Sequence, residues 1–378
     1  MATGPRRDLF GDIAVSKNLL TWAQVRDALK RQSEYKQKGI PLRIGECCLE
    51  LNLLTQVQIN EVLATQREKR KSIPVEKKID ADFDFSDIED GETFKLGRYK
   101  LDKRLGGAMG IVFRGIDEQT GSTIALKVLP RNLAHDPNFV ERFKREVKAT
   151  CVLSHPNIVH IYDTGIEQGV FYLATEFIDG ETLTSKLRRE TRFSDLDSLV
   201  VLRDVAKALG HAHSRRVLHR DLKPDNVMIT KEGVVKLADF GLAKFLRDEQ
   251  PITAEGIAVG TPHYISPEQA RALKETDHRS DLYSLGATVF HLITGRLPYE
   301  GDNGAEVMKR HVFEAVPDPR SVRPDLNPAI ADMLMKLMAK SPNQRYQTAD
   351  ELVAAVEPLI QGLEGGGQKK PAARKGFE

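Results

Sequence analysis

The spacing of apolar and polar residues predicts several short strands in the middle of the chain. Residues 99–106 alternate in the manner of a strand and run into a glycine-rich turn. Residues 158–162 and 170–176 are rich in β-branched and aromatic side chains, and a Gln168-Gly169 pair lies between the two runs. Because glycine favours tight turns between such runs, the pattern predicts a β-hairpin.

A helix is predicted between these strands. Its apolar residues recur at helical spacing, at Phe139, Phe143, Val147 and Cys151, within residues 139–153. One strand segment precedes this helix along the chain, and others follow it.

The first seventy residues contain an internal repeat with an offset of 34 residues. Repeats of this length are typical of duplicated helical units. In each copy a first helix is predicted to end near an asparagine, Asn18 or Asn52, which suits a left-handed C-cap. A threonine, Thr21 or Thr55, is then predicted to cap a second helix. The matching pairs are Gly11/Gly45, Asn18/Asn52, Leu20/Leu54, Thr21/Thr55, Gln24/Gln58, Leu29/Leu63 and Gln32/Gln66.

The charge pattern separates this repeat from the rest of the chain. We predict a helical, duplicated sensory or docking domain over residues 1–70, followed by a charged flexible linker over residues 71–98. The linker is basic at first and acidic afterwards, and its acidic part carries Phe83, Phe85 and Ile88. A solvated linker and a docking peptide are the two alternatives for this stretch.

Composition predicts a soluble, globular chain. At 378 residues, with 40% hydrophobic and 6% aromatic residues, it is typical of two or three domains with real cores. A net charge of +2 excludes a general affinity for nucleic acid polymers. Three cysteines are too few for a disulfide framework, which favours a cytoplasmic location. No apolar run approaches the ~18 residues of a membrane span, and residues 362–378 have the composition of a disordered tail.

Two motifs carry the chemistry. Residues 219–226 read His-Arg-Asp-Leu-Lys-Pro-Asp-Asn, and Asp-Phe-Gly follows at residues 239–241, after two apolar, strand-like runs. In this order and at this spacing, they resemble the catalytic loop and the metal-binding segment of a bacterial eukaryotic-like (Hanks-type) serine/threonine protein kinase. The resemblance covers residues 99–361. It implies an α+β, two-lobed kinase fold, with a small, mostly antiparallel β N-lobe that carries one main helix and a larger helical C-lobe.

The resemblance implies a role for each motif residue. Asp221 would accept or orient the proton of the attacking hydroxyl, and Lys223 would steady the γ-phosphate. Asn226 and Asp239 would hold Mg²⁺, or Mn²⁺, with the oxygen ligands that hard cations prefer. The implied cofactors are ATP and one of these metals.

The same resemblance places the nucleotide against a lysine strand, a glycine-rich loop and a hinge. Lys127, at the end of an Ile-Ala-Leu-Lys run, would contact the α- and β-phosphates and pair with Glu146. The alternative for Glu146 is a surface acid on a charged helix. Backbone groups of Glu176 and Ile178 would meet adenine. The loop residues expected to bind nucleotide are Leu105, Gly106, Gly107, Gly110 and Val112.

This glycine-rich loop departs from the Gly-x-Gly-x-x-Gly-x-Val pattern of the family. It is one residue short between Gly106 and Gly107, which would weaken phosphate binding. Two readings therefore stand: an active kinase that phosphorylates Ser or Thr of protein substrates in signalling, and a pseudokinase scaffold with little catalysis. The intact catalytic and metal residues favour the active kinase. A small-molecule kinase is disfavoured by the peptide-platform motif at residues 260–268.

Regulation is predicted from the residues around the catalytic loop. Arg220 precedes the catalytic Asp, which in this family indicates an activation segment ordered by a phosphate. Thr253 is the one hydroxyl residue of segment 244–260 and is the predicted phosphorylation site. Thr261 would lie beside the base and its lysine. A solvated polar loop is the alternative for the segment that contains Thr253.

The resemblance also implies two interactions that hold the fold. Glu268 should pair with Arg345, and Asp281 should receive backbone N–H groups of the catalytic loop. Both interactions are structural rather than catalytic.

The N-terminal repeat resembles the N-terminal domain of type II secretion and pilus ATPases. Some members of that family bind cyclic di-GMP through a repeated Arg-Leu-Gly-x-x-Leu motif. The second copy reads Arg-Ile-Gly at residues 43–45, with Leu49 following, whereas the first, Leu-Phe-Gly at residues 9–11, lacks the arginine. The alternatives are a cyclic di-GMP site that uses Arg43 and a helical module that docks a protein partner or dimerises.

Overall fold

A computed structural model describes residues 10–37, 42–72, 76–78, 93–106, 110–129, 141, 147, 149–240, 262–273 and 276–366. The helices with defined bounds are α1 (Phe10–Ser16), α2 (Trp22–Gln37), α3 (Ile44–Glu50), α4 (Gln56–Ser72), α5 (Leu183–Glu190), α6 (Asp195–His213), α7 (Pro267–Ala270), α8 (Arg279–Thr294), α9 (Gly304–Phe313), α10 (Pro328–Leu337) and α11 (Ala349–Gly366). The strands are β1 (Glu76–Lys78), β2 (Thr93–Leu96), β3 (Tyr99–Gly106), β4 (Ile111–Asp117), β5 (Thr123–Val128), β6 (Ile161–Glu167), β7 (Val170–Glu176), β8 (Gly180–Thr182), β9 (Val227–Thr230) and β10 (Val235–Leu237). Short 3-10 turns occur at Pro224–Asn226, Pro262–Tyr264, Pro319–Ser321 and Pro342–Gln344.

The chain divides into two compact units, and the first comprises residues 1–104 and 115–120. Its helices α1 to α4 enclose a hydrophobic core to which both copies of the repeat contribute. A Cβ atom at Gly11 would lie 2.7 Å from Val25, and one at Gly45 would lie 3.1 Å from Ile59. Glycine therefore lets the first helix of each copy approach the second. The buried core residues are Phe10, Ile13, Ala14, Leu20, Val25, Ala28, Cys47, Cys48, Leu54, Ile59 and Val62.

The predicted caps of these helices are confirmed. Asn18 and Asn52 have φ angles of 57° and 53°, so both adopt the left-handed conformation that ends a helix. At the following helix start, the hydroxyl oxygen of Thr21 or Thr55 accepts from the backbone N–H of the glutamine three residues later, at 3.4 Å in both copies. The N–H of each threonine donates to the side chain of the same glutamine, at 2.8 and 2.9 Å. The short polar side chain of Asn tolerates this backbone where most residues would be strained.

The segment predicted as a linker contains strands. Strand β1 pairs in parallel with β2, and β2 pairs antiparallel with β3. Phe94 and Leu96 are buried in β2, whereas Thr93 and Lys95 are half-buried, which is the alternation of a strand. The prediction of a linker over residues 71–98 is therefore wrong for β1 and β2. The alternation in β2 covers only four positions next to a charged run, so the sequence does not distinguish this strand from a linker.

The second unit comprises residues 105–114 and 121–378. Its β5, β6 and β7 form antiparallel pairs, with β7 in the centre. The predicted hairpin is confirmed, and its turn residues Gln168 and Gly169 have φ angles of 52° and 74°. Two positive φ angles match a turn whose twist follows that of the strands.

The first strand of this hairpin begins later than predicted. Strand β6 starts at Ile161, whereas the prediction placed a strand at residues 158–162. Ile158 forms an isolated parallel bridge with Leu237 instead. The amide of Asn157 also donates to the carbonyl of Val235 at 2.8 Å. Ile158 and Asn157 therefore contact β10, and Ile158 is not part of the hairpin.

The helix predicted over residues 139–153 ends earlier than expected. Residues 149 and 150 are helical, whereas residues 151 and 152 form a turn. The hydroxyl of Thr150 donates to the carbonyl of Val147 at 2.8 Å. Such a bond competes with the helix ladder, and it lies where the helix ends.

Helix α8 is the centre of the helical part of the second unit. All residues from Ser280 to Phe290 are buried, as expected for a helix surrounded by others. A Cβ atom at Gly286 would lie 2.7 Å from Leu337, so glycine lets α8 approach α10 closely. Helix α11 continues to Gly366, so the predicted disordered tail is helical at residues 362–366. In the described part of the chain, no helix combines the length and the apolar character needed to cross a membrane.

Candidate active site

Side chains of residues 219–226 converge on one carboxylate. Asp221 Oδ2 accepts from Lys223 Nζ at 2.8 Å and from Asn226 Nδ2 at 3.1 Å. The same Nδ2 donates to the backbone carbonyl of Asp221 at 2.7 Å. The 3-10 turn Pro224–Asn226 returns Asn226 to this position, because a proline at its start already has the required φ. The structure thus brings together the predicted base, its lysine and one predicted metal ligand.

Strand β10 leads directly to the second predicted metal ligand, Asp239. The N–H of Ala238 donates to the carbonyl of Asn226 at 2.8 Å, which ties the two ligand-bearing segments together. Asp239 Oδ2 accepts from Lys127 Nζ at 2.8 Å. Burial opposes ionisation of Asp239, but the charge and hydrogen bond of Lys127, together with His219 and Lys223, outweigh it and hold the pKa of Asp239 below its usual range.

The backbone of Asp239 is left-handed, with φ 61°. A conformation of this kind costs a non-glycine residue of order 1–3 kcal/mol and occurs often at functional sites. Arg220, beside the predicted base, has a φ of 67°. Both segments that carry the predicted chemistry therefore hold a strained residue.

The residues present fit a hard divalent cation. Asn226 uses its amide nitrogen toward Asp221, so its amide oxygen is the atom suited to a metal, and Asp239 is held in its ionised form. Mg²⁺ is usually bound by one or two such oxygens together with phosphate oxygens and water. In keeping with this, no group of three or more His, Cys, Asp or Glu residues in the described part of the chain is arranged to hold a metal by itself.

Asp281, near the start of α8, holds the backbone of the catalytic loop. Its two oxygens accept from the backbone N–H groups of His219 and Arg220, at 2.9 and 2.8 Å. The ring of His213 contacts the same carboxylate at 2.8 Å. Burial by itself would raise the pKa of Asp281. These hydrogen bonds and the nearby histidines lower it by more than burial raises it, so the pKa of Asp281 lies below its ordinary value. The predicted role of Asp281 is confirmed.

The predicted pair of Glu268 and Arg345 is also confirmed. Two nitrogens of Arg345 contact the two oxygens of Glu268, at 2.7 and 2.9 Å, and both side chains are buried. The hydroxyl of Ser280 donates to Glu268 at 2.6 Å. A buried, bidentate pair of this kind requires all its partners, because one charge left alone would be strongly unfavourable.

The predicted hinge is joined to β10 by an ion pair. Lys236 Nζ lies 2.8 and 3.0 Å from the two carboxylate oxygens of Glu176, and one of these oxygens also accepts from the N–H of His160. The backbone N–H of Glu176 donates to the carbonyl of His160 at 2.8 Å. The N–H of Glu176 is thus paired, and its carbonyl accepts from the hydroxyl of Thr175 at 3.4 Å. Ile178 is buried two residues further on.

The ends of the glycine-rich loop have the backbone that glycine permits. Gly106 and Gly110 have φ angles of 127° and 126°. A Cβ atom at Gly110 would lie 2.6 Å from the carbonyl oxygen of Val128, so no other residue fits there without a shift. Leu105 is exposed and Val112 is half-buried. The predictions for Gly107, Glu146, Thr253 and Thr261 concern residues outside those that the structure describes.

A model of the protein kinase domain family matches residues 99–356, which is most of the chain. This chain belongs to the protein kinase family. A solved structure of the kinase domain of PknI from Mycobacterium tuberculosis matches with a TM-score of 0.58 and 29% identity. The match covers 73% of this chain and 99% of that domain, which confirms the predicted kinase fold.

Curated relatives of this kinase bear the names of serine/threonine kinases. A probable serine/threonine-protein kinase of Streptomyces coelicolor is 37% identical over 272 residues, which are 70% of this chain and 40% of that protein. The serine/threonine-protein kinase PknA of Mycobacterium tuberculosis is 36% identical over 272 residues, or 70% of this chain and 62% of PknA. The kinase thus spans less than two thirds of the length of these relatives.

Two residues of the kinase site, Lys236 and His219, make contacts that the sequence does not predict. Lys236, which pairs with Glu176, gave no signal beyond a lysine in a short strand. His219 was read only as part of a motif, yet its Nε2 lies 2.8 Å from the carbonyl of Ala238 and its Nδ1 accepts from the N–H of Asp221 at 3.3 Å. The strand alternation of β10 could have indicated that Lys236 lies on the opposite face from its buried neighbours.

Proposed function

We propose that this chain is a serine/threonine protein kinase that transfers the γ-phosphate of ATP to hydroxyl groups of protein substrates in signalling. The observation that carries the proposal is the cluster of Asp221, Lys223 and Asn226, joined through Ala238 to Asp239 and Lys127. A base, a lysine, two oxygen ligands and a nucleotide lysine are the groups that phosphoryl transfer requires.

These residues act mainly by positioning and by charge. Asp221 orients the substrate hydroxyl and receives its proton as the new O–P bond forms and the bond to the β-phosphate oxygen breaks. Lys223, already 2.8 Å from Asp221, steadies the negative charge of the transferring group. ATP with Mg²⁺, or Mn²⁺, supplies the phosphoryl group, and Asn226 and Asp239 would hold the metal. Lys127, whose Nζ lies 2.8 Å from Asp239 Oδ2, is the cation that contacts the α- and β-phosphates when ATP binds.

The proposal is tested with radiolabelled ATP and peptides that contain only Ser, only Thr or only Tyr. Transfer to Ser or Thr but not to Tyr is expected. Asp221→Asn should reduce kcat by at least about 1,000-fold while leaving ATP affinity and thermal stability close to wild type. Asp225→Asn is the matched control, because Asp225 lies in the same loop and is exposed.

The outcomes separate this function from the pseudokinase alternative. If Asp221→Asn keeps activity within about tenfold of wild type, Asp221 is not the base. If the wild-type chain binds ATP but transfers no phosphate, a nucleotide-binding scaffold is the better description, and the shortened loop between Gly106 and Gly107 is the first place to look. Insertion of one glycine there would then be expected to lower the KM for ATP.

Activation is proposed to depend on phosphorylation of Thr253, with Arg220 as the receiving cation and Thr261 beside the base. This proposal rests on the sequence, since Thr253 and Thr261 lie outside the described residues. Within the described residues, Arg220 is held through its backbone, whose N–H donates to Asp281 and whose carbonyl accepts from Gln269. Phosphosite mapping of active enzyme, with Thr253→Ala beside it, is the test. An active enzyme with unmodified Thr253 would contradict the proposal.

A cytoplasmic location is proposed from the cysteines. Cys47 and Cys48 are free and buried, and Cys151 is also a free thiol. Reduced thiols are typical of proteins in a reducing compartment.

We infer that residues 1–70 form a sensory or docking module, as in the type II secretion ATPase domain that they resemble. Leu29 and Leu63 occupy equivalent positions in the two copies of the repeat, and both are exposed. Exposed apolar residues at matched positions favour a protein partner. Arg43 is exposed at the start of α3, which keeps cyclic di-GMP as the second candidate.

Calorimetry of the full chain with cyclic di-GMP distinguishes the two candidates, with Arg43→Ala as the comparison. Binding that is lost in Arg43→Ala would favour the dinucleotide, because a guanidinium can pair bidentately with phosphate or a guanine edge. No heat at about 100 μM ligand, which corresponds to a binding free energy weaker than roughly −5 kcal/mol, would leave protein docking as the function.

A further inference from the structure

A buried histidine on α9 holds the segment that follows the activation region. His311 is fully buried, and its Nε2 lies 3.0 Å from the backbone carbonyl of His263, in the turn Pro262–Tyr264. Its Nδ1 lies 2.9 Å from the hydroxyl of Tyr283 on α8. One imidazole therefore joins this turn to the most deeply buried helix of the unit.

The partners determine which nitrogen carries the proton. A carbonyl only accepts, so Nε2 of His311 must donate to His263, and Nδ1 must then accept from the hydroxyl of Tyr283. Both nitrogens of a neutral ring are satisfied in this way. Burial, and after it the charge of Lys340, lowers the pKa of His311 to about 3, so the ring is neutral at physiological pH.

The next residue of the turn is held by a second histidine. The hydroxyl of Tyr264 lies 2.8 Å from Nδ1 of His291 on α8. Burial and the proximity of His263 lower the pKa of His291 to about 4, so this ring is neutral as well and its Nδ1 can accept. Two consecutive residues are thus fixed by neutral imidazoles, one through its backbone and the other through its side chain.

The turn forms one wall of a small cavity at the predicted base. Tyr264 and Ile265 line this cavity together with Arg220, Asp221 and Lys223. A shift of the turn would change the space beside Asp221 and Lys223. It would leave the contact between Lys127 and Asp239 unaffected, because that contact involves other segments.

We propose that His311 is a positioning residue for the peptide substrate, which it serves by holding the carbonyl of His263 and with it the wall formed by Tyr264 and Ile265. The proposal rests on the proposed kinase function. If burial alone were required, an apolar side chain would fill the site without the unfavourable desolvation of an imidazole. The observed ring instead supplies a donor at the carbonyl of an irregular turn, where a missing partner is unfavourable.

The test compares His311→Phe with His311→Gln. Phe keeps a planar ring but has no donor, whereas the amide of Gln can donate to His263 and accept from Tyr283. We expect His311→Phe to raise the KM for a peptide substrate about tenfold, with the KM for ATP within about twofold of wild type. His311→Gln should restore most of the peptide KM. Tyr283→Phe, which removes only the bond to Nδ1, should have a smaller effect than His311→Phe.

Two measurements do not depend on catalysis. Hydrogen exchange of residues 262–266 should be faster in His311→Phe than in His311→Gln. In the wild-type chain labelled with ¹⁵N-histidine, the resonance of His311 should be that of the tautomer protonated at Nε2. This second measurement tests the hydrogen bond from Nε2 of His311 to His263 even if His311→Phe does not fold.

The outcomes are distinct. An Nδ1-protonated ring, equal peptide KM values for the Phe and Gln variants, or a parallel rise in both KM values would each overturn the positioning role. A wild-type chain that phosphorylates no peptide would instead refute the proposed function, and the exchange and tautomer measurements would still show whether His311 fixes the turn.

Discussion

Helix α8 supports two loops of the kinase by different chemistry. Near its start, the ionised carboxylate of Asp281 accepts from two backbone N–H groups of the catalytic loop, at 2.9 and 2.8 Å. Further along, His291 accepts from the hydroxyl of Tyr264 in the turn Pro262–Tyr264, and Tyr283 donates to His311 of α9, which in turn holds the carbonyl of His263. The first loop is held by charge and the second by neutral hydrogen bonds.

The difference follows from the groups that each loop presents. The catalytic loop presents N–H groups, which require an acceptor, and a carboxylate offers two oxygens for them. The turn presents the carbonyl of His263, which requires a donor. A lysine or arginine there would add a charge that is costly to bury, whereas His311 donates without one. The comparison teaches that the backbone group to be held determines the buried side chain: an N–H group requires an acceptor, and a carbonyl requires a donor.

Of the two supports, the charged one is expected to have the larger effect on the rate of catalysis. Asp281→Asn replaces one acceptor oxygen with an NH₂ group that would face a backbone N–H. The resulting displacement of the catalytic loop should lower kcat roughly 100-fold, since small misplacements of a catalytic group have effects of this size. The measurement is steady-state kinetics with saturating peptide and ATP. Asp332→Asn, at a carboxylate that is 70% exposed, is the control and should retain wild-type kcat. If Asp281→Asn shows no more loss than this control, the charged support has no role in catalysis.

The largest effect on stability, as distinct from rate, is expected at the ion pair just after the turn. Arg345→Met strands the buried carboxylate of Glu268 and should lower the free energy of unfolding by about 3–5 kcal/mol, as measured by urea denaturation. The double variant Glu268→Gln/Arg345→Met removes the uncompensated charge and should be more stable than Arg345→Met alone. Equal stability of the two variants would show that loss of packing, rather than the buried charge, is responsible.

Acid should weaken the neutral support before the charged one. The ordinary pKa of histidine is 6.5, and those of His311 and His291 in the folded chain are about 3 and about 4. Below pH 6.5 the unfolded chain binds protons at these two sites while the folded chain does not. Stability from this source is therefore complete above pH 6.5 and declines as the pH falls toward 3, by up to about 1.4 kcal/mol per pH unit for each histidine.

The two buried carboxylates lose their contribution to stability at a lower pH than the histidines. The pKa values of Asp281 and Glu268 are lowered from 3.8 and 4.5, so their contribution is lost only below those ordinary values. Urea denaturation at pH 7 and pH 5.5 separates the two sources. His311→Gln should show a smaller loss of stability between these pH values than wild type. An identical loss in both proteins would mean that His311 does not titrate on unfolding as described.

The smallest effect is expected at the hinge. Lys236→Met removes the partner of Glu176, which is partly buried, and should raise the KM for ATP by about three- to tenfold with little change in the peptide KM. The exchanged pair Glu176→Lys/Lys236→Glu should recover part of the affinity. Lys231→Met is the matched control, because Lys231 and Asp179 form a pair whose side chains are 68% and 64% exposed. A peptide KM that rises as much as the ATP KM would contradict a hinge-specific role.

Much of the local structure could be predicted from neighbouring residues. Strand β3 has the predicted bounds, the Gln168-Gly169 turn joins two strands, and Asn18 and Asn52 end their helices. Each of these depends on short-range backbone preferences that the sequence states directly. The errors arose where a distant segment competed, as at Ile158, which pairs with Leu237 rather than within the hairpin.

The sequence by itself determined the protein kinase family and the residue types of the site, because the motifs at residues 219–226 and 239–241 lie close together along the chain. The resemblance to that family also implied the pairing of Glu268 with Arg345, although the two are 77 residues apart. Only the tertiary structure decided that Lys236 meets Glu176 and that His311 meets His263, since these pairs are 60 and 48 residues apart. No local preference encodes such contacts. They arise when the packed elements leave a buried donor or acceptor, and its partner comes from whichever segment folding brings beside it.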